Sequence, residues 1–278
     1  MATRQYCALT ALVSLFCVAG GLPAAESNRC VLAYDFNEGQ GLVAKDSSGF
    51  HNDALGLGFE ADPFWNHCHW QADGGISNSQ MFIRQSVALQ PSSFLIEFEI
   101  KPEKRSRVQN VFMQYVTPFY YKGPKINHTN DVFWPMFYPL RIRLTPDDNL
   151  LIDLSMEENG VIARKSFASR QKLPVGQYVS VGIKLADGRL SILLDGKEDK
   201  SWPIAGQICY RSPEHYDGHV NAMLGSSGFR ILYSSSQPCE GIVNGMPGAW
   251  GFRGSIKRFS ITDLALSLIH ISEPTRPY

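Results

Sequence analysis

No stretch of ten or more residues in this chain sustains a helical spacing of apolar side chains; short runs of β-branched and aromatic residues recur between turn signals instead. That pattern restricts the chain to an all-β fold. It is clearest where Phe94, Ile96, Phe98 and Ile100 alternate with Leu95, Glu97, Glu99 and Lys101, so that the first set points inward and the second to water. Further strands are predicted at Val31 to Phe36, Val108 to Tyr115, Leu140 to Leu144, Leu150 to Met156, Val161 to Ser166, Tyr178 to Leu185, Arg189 to Leu194, Asn221 to Leu224 and Ser255 to Ile261. Ala186-Asp187-Gly188 joins two of these as a hairpin, because Asp-Gly supplies the positive φ that a tight turn needs. The second of the pair is read as ending in Asp195-Gly196-Lys197.

The two termini read differently from the middle. Residues 1–25 carry one charge, Arg4, then an apolar run from Tyr6 to Ala19, then Gly20-Gly21-Leu22-Pro23 ahead of Ala24-Ala25 and Glu26. This is the layout of a cleavable secretory signal; a membrane span needs about 20 apolar residues, and the glycines and proline arrive too early for one. Cys17 is preceded by the bulky Phe16, which argues against a lipid-anchored cysteine. A secreted, extracellular protein is expected, or a periplasmic one in a Gram-negative cell. At the other end, Leu266 to Arg276 resembles a translated sequencing adapter, and residues 266–278 are set aside as a non-native tail. Residues 26–265 suit one sandwich domain, for which roughly 200 to 250 residues are routine.

Charge excludes some partners. The chain balances 26 Lys and Arg against 26 Asp and Glu, and setting aside Arg4, Arg276 and Glu273 leaves a net of −1. Neither nucleic acid nor an anionic membrane is called for, and no membrane insertion is expected. The cluster Lys101, Lys104, Arg105 and Arg107 reads as a solvated loop, with contact to an acidic glycan as the alternative. Outside the signal stand Cys30, Cys68, Cys209 and Cys239, an even number in an oxidising compartment. Three pairings are open; Cys30 with Cys68 and Cys209 with Cys239 is favoured, since each closes a local excursion. Zinc is not expected, because there is no Cys-x-x-Cys pair and His67 and His69 flank Cys68 on an extended chain.

Three blocks carry a family resemblance. Tyr34 to Asp53 reads YDFNEGQGLVAKDSSGFHND; Leu173 to Lys197 contains LPVGQYVSVGIK and then DGRLSILLDGK; Trp250 to Ile261 reads WGFRGSIKRFSI. Together they resemble the opening, middle and closing strands of laminin-G-like modules of the concanavalin A-like lectin/glucanase superfamily. Tyr178 stands where that family usually has Trp, and Lys257-Arg258 replaces an acidic pair. The resemblance implies a jelly-roll β-sandwich of two antiparallel sheets, with the first and last strands side by side, and a binding module rather than a catalyst. It also implies calcium at a sheet rim, with Asp46 as the first ligand and Asn52 or Asp53 next. Against calcium stands the plainer reading that Asp46 and Ser48 bond their own backbone while Gly49 takes positive φ.

Two segments exceed that plan. Pro118 to Pro139 holds seven aromatics, four prolines and the sequon Asn127-His128-Thr129. Its rings either stack on sugars, with Tyr120, Tyr121 and Trp134 as candidates, or fold back on the sandwich. Asn127 is a candidate glycosylation site. Ile204 to Ala249, with both late cysteines, reads as a pinned loop region, and Trp65 and Trp70 as packing around Cys68. An enzyme of the same superfamily is the rival reading, but Leu151 to Glu157 has leucine where a glycosidase nucleophile would stand, and Glu97 and Glu99 describe a solvent face. Neither His215 and His219 near Asp217 nor Gly225 to Gly228 completes a nucleophile or phosphate motif. The sequence therefore predicts a secreted, non-catalytic module for an extracellular glycan or glycoprotein. The alternatives are a glycoside hydrolase or polysaccharide lyase, and an adhesive segment of a larger protein.

Overall fold

The computed structural model describes residues 28–41, 43–56, 69–71, 74–77, 81–83, 86–104, 106–117, 138–210, 219–225, 230–231, 243–244 and 252–264. The expected signal (1–25), the tail (266–278), Cys68, Cys239, Tyr120, Tyr121, Asn127 and Trp134 lie outside these residues. Among the described residues the strands are β1 (Arg29–Tyr34), β2 (Val43–Ala44), β3 (Ala54–Gly56), β4 (His69–Trp70), β5 (Ile76–Ser77), β6 (Met81–Ile83), β7 (Phe94–Pro102), β8 (Gln109–Thr117), β9 (Leu140–Leu144) and β10 (Asn149–Glu158). They continue as β11 (Val161–Lys172), β12 (Val179–Ala186), β13 (Arg189–Leu194), β14 (Lys197–Pro203), β15 (Gln207–Ile208), β16 (His219–Leu224), β17 (Arg230–Ile231), β18 (Val243–Asn244) and β19 (Gly254–Asp263). The one helical element among the described residues is a 3-10 turn at Val87–Leu89, and no helix there is long and apolar enough to cross a membrane.

Seventeen of these strands form two antiparallel sheets packed face to face as a β-sandwich, and β17 and β18 pair only with each other. The first runs β14-β13-β12-β7-β19, with β1 and β5-β4 sharing the far side of β19; the second runs β11-β10-β9-β8-β16-β6-β3-β2, with β15 alongside β10. The last strand is thus internal to its sheet: Phe259 pairs with Phe98 of β7 on one side and Tyr34 of β1 on the other. First and last strands are neighbours, as the resemblance implies.

Alternation along the strands builds the core. Phe94, Ile96, Phe98 and Ile100 of β7 are buried opposite Leu140, Ile142 and Leu144 of β9 and Leu150, Ile152 and Leu154 of β10, all in one apolar cluster. The Phe259 ring links the layers, stacked on Phe98 in its own sheet (centroids 6.0 Å) and tilted against Phe112 of the facing sheet (4.8 Å). Such pairs add about 0.5–1.5 kcal/mol beyond the area they bury.

Three tight turns set the hairpin registers: Asn159-Gly160, Asp187-Gly188 and Asp195-Gly196, each with both residues at positive φ. The last ends β13 where the sequence reading ended it and carries the chain on into β14, a strand that reading did not name. That strand is mostly polar, with Asp199 its one buried residue, and so gives little alternation to read. Its one buried acid, Asp199, accepts from the Arg170 (2.6 Å) and Gln171 (3.1 Å) amides of β11, fastening the edge of one sheet to the edge of the other. Replacing Phe259 with Ala is expected to lower unfolding free energy by about 3–5 kcal/mol in urea titrations. The same change at the exposed Val161 is expected to cost less than about 0.5 kcal/mol.

Candidate functional site

Polar chemistry concentrates at three places. The first is the turn after β1. Asp46 Oδ1 accepts from the Ala33 amide (3.0 Å) and the Ser48 amide (2.9 Å), while Oδ2 accepts from the Ser48 hydroxyl (2.8 Å) and the Asn52 amide (2.8 Å). Asn52 donates to Val31 O (3.1 Å), and its own carbonyl accepts from the Tyr34 hydroxyl. Asp53 accepts from the Asp46 amide (2.9 Å) and from Lys45 Nζ (2.6 Å). The hydrogen bond from Lys45 and that backbone donor hold the Asp53 carboxyl below the usual carboxylate range. Its stabilising contribution is therefore complete above the unfolded value of about 3.9 and is lost as pH falls through the lower folded value.

This geometry does not fit calcium at Asp46. A carboxylate offers about four lone-pair sites, and the four donors above occupy them, whereas calcium asks for 6–8 oxygens. Among the described residues no three His, Cys, Asp or Glu side chains gather into a metal-holding group. Asp46 instead clips β1 to the turn that leads into the second sheet.

The second place is the outward face of the second sheet. In β10 the residues Leu150, Ile152, Leu154 and Met156 enter the core, so Asp153 and Ser155 point the other way, yet both are buried. Asp153 is paired across the ladder with Arg141 on β9 and Ser166 on β11. Its carboxylate accepts from Arg141 Nε (2.9 Å), Arg143 Nη2 (2.6 Å to one oxygen, 2.9 Å to the other) and the Ser166 hydroxyl (2.7 Å). Only 2% of the Asp153 side chain is exposed, against 19% for Arg141 and 16% for Arg143.

Tyr138, just before β9, lies under two cations: the guanidinium carbons of Arg141 and Arg164 are 5.0 and 5.7 Å from its ring centre. Burial raises its phenol above the ordinary value, against the pull of those two arginines. The ring also packs against Met113 and Met223, buried apolar residues on this outward side, with Phe82 beside them. Two buried polar atoms in the same row lack partners: Arg143 Nε and Oδ1 of Asn110, its cross-strand neighbour on β8.

The third place is an open groove of about 360 Å³ on the first sheet, lined by Asp35, Asn37, Glu99, Lys257 and Arg258. A β-bulge at Lys257 shapes it, because the register with β7 shifts between Ile256 and Arg258. Glu99 is engaged by Arg258 Nη2 (3.1 Å), and Glu97 is exposed. Lys101 and Lys257 both lie over the Tyr178 ring, at 5.1 and 5.3 Å.

Sequence reasoning placed Asp46, Asn52 and Asp53 together, and the structure does so. It found Asp153 only as a member of an incomplete acid pattern and Tyr138 only as one of the seven aromatics of Pro118 to Pro139, and it gave Arg141, Arg143 and Arg164 no role. The readable signal was the alternation L-R-I-R-L at Leu140 to Leu144, which places two arginines on one face opposite the acid of the next strand. Of the cysteines, Cys30 lies on β1 with its sulfur 3.3 Å from Leu32 O, and Cys209 is buried; both expected partners fall outside the described residues, and among the described residues no two cysteines are bonded to each other.

No family model matches the sequence, and no curated protein matches it either. Among solved structures, domain 4 of AbnA, a GH43 extracellular arabinanase from Geobacillus stearothermophilus in complex with arabinotriose, is 15% identical with a TM-score of 0.49, covering 87% of this chain and 96% of that one. Trypanosoma rangeli sialidase in complex with the inhibitor DANA is 11% identical with a TM-score of 0.49; the match covers 86% of this chain but 31% of the sialidase. The Ruminococcus gnavus IT-sialidase CBM40 bound to α2,3-sialyllactose is 13% identical with a TM-score of 0.40, over 66% of this chain and 82% of that one.

Replacing Asp46 with Ala leaves buried amides without an acceptor and is expected to cost about 2–4 kcal/mol in chemical denaturation. A chelator is expected to leave the melting temperature of the unaltered protein where it was; a calcium-dependent rise would show instead that the Asp46 carboxylate faces an ion.

Proposed function

We propose that the protein is a secreted, non-catalytic module that binds carbohydrate, free or on a glycoprotein, through the outward face of its second sheet. The observation that carries this reading is the network of Asp153, Arg141, Arg143 and Ser166 beside Tyr138, a set of fixed donors on the flat of a sheet rather than in its core. A sugar presents many hydroxyls in fixed directions, and donors held by strands meet them without the ordering cost that mobile loops incur.

The connection with the aromatic insertion supports the same face. β8 and β9 are paired from Gln109↔Leu144 to Met113↔Arg141, so the segment leaving β8 and returning at Tyr138 departs from the Arg141 end of the pair. That segment contains Tyr120, Tyr121 and Trp134.

A binding role without catalysis agrees with how the acid is used. Both oxygens of Asp153 are engaged by arginine, which leaves no free carboxylate to attack a sugar or to share a proton with a second acid. Secretion rests on the signal-like residues 1–25, and the bridges Cys30–Cys68 and Cys209–Cys239 are proposed with it.

The test is a glycan array probed with the purified protein, with and without chelator. Binding that survives chelation and falls at least tenfold in Tyr138→Ala, with the fold intact by circular dichroism, is the expected result. Indifference to every glycan, or loss only with chelator, would overturn the reading.

A further inference from the structure

Resting on that reading, we infer that the sugar recognised at this face is an acidic one, its carboxylate or sulfate held between Arg141 and Arg164 above Tyr138. Charge balance is the first ground. Arg141, Arg143 and Arg164 face outward around a single buried acid, Asp153, in a protein whose formal net charge is zero. Two of the three guanidiniums are spent on Asp153; among the described residues Arg164 forms no ion pair. The other acid on this side of β10, Glu157, is exposed and stands beyond Ser155, the residue that faces Arg164 across the ladder. It makes no ion pair with Arg164.

The second ground is the arrangement around the ring. Arg141 and Arg164 share one aromatic side chain, whose π face attracts a cation. The surface on which a neutral sugar would stack is therefore already in contact with two cations, and an anion between them relieves their repulsion. Arg141 binds Asp153 through Nε, which leaves its two terminal nitrogens to donate to a planar anion.

Matched glycan pairs test this: oligogalacturonate against its methyl ester, sialylated against desialylated N-glycan, and sulfated against desulfated galactan, each titrated with the full-length protein and with Arg164→Gln. Arg164 is exposed on an edge strand, so its replacement leaves folding intact. The expected result is at least tenfold tighter binding of the acidic member of one or more pairs, a preference that shrinks at least fivefold in Arg164→Gln and weakens in 0.5 M salt. Which pair responds says whether carboxylate or sulfate is the anion. Equal binding of both members in every pair would overturn the inference and leave carbohydrate binding standing. Binding of an acidic member that Arg164→Gln does not weaken would place the anion elsewhere and also overturn it. Absence of binding to any glycan would remove the carbohydrate reading itself.

Discussion

The contact of Phe259 with Phe98 and Phe112 is what the rest of the structure depends on. Phe98 is its neighbour on β7, Phe112 belongs to the opposite sheet, and all three rings are essentially shut off from water. Because Phe259 is also paired with Tyr34 of β1, one residue near the end of the chain ties together the first strand, the central strand and the facing layer. The cost of closing so long a loop grows only slowly with its length. The apolar area then gained in a 4.8 Å ring contact and its surroundings is large by comparison. The fold is thus governed by contacts distant in sequence, as two-sheet sandwiches are.

Around that core, three buried acids do similar work by different means. Asp46 gathers four donors from its own turn and from β1, Asp199 takes two amides of β11, and Asp153 takes two arginines and a serine. The first two are satisfied by amide and hydroxyl groups, which carry no net charge, so the result is structural and electrically a local excess of negative charge. Asp153 is satisfied by full positive charges and leaves its surroundings positive. That difference sets Asp153 apart from the two clasps: its surroundings carry net positive charge, whereas theirs stay negative.

Much of the fold was legible in the sequence because period-two alternation survives wherever one face is wet and the other dry. Phe94 to Ile100 and Leu140 to Leu144 are read directly, and Asp187-Gly188 fixes its hairpin from two letters. β14 was not legible, because an edge strand fastened by one buried aspartate needs no apolar stripe. The site was hidden for a related reason. Arg141 and Arg143 look like ordinary solvent-facing residues of an alternating strand, and only the register with β10 shows that they converge on Asp153. The Asp46 turn was visible as a cluster of oxygen-bearing side chains, but residue types alone do not say whether an oxygen faces an ion or an amide.

The position of β10 explains why the polar network can be stable on an outward face at all. β10 is bonded to β11 along one side and to β9 and then β15 along the other, so its backbone is fixed on both sides. Ser155 is further pinned: its amide donates to Pro139 O (2.9 Å), its hydroxyl to Tyr138 O (2.7 Å), and its carbonyl accepts from the Cys209 amide (2.8 Å). Tyr138 is therefore anchored through its backbone to the strand that carries Asp153. Desolvating an acid costs several kcal/mol unless its partners are held in place. Here the ladder holds them: Asp153 is paired with Arg141 of β9 on one side and Ser166 of β11 on the other, so the backbone fixes the spacing that makes the buried charge tolerable.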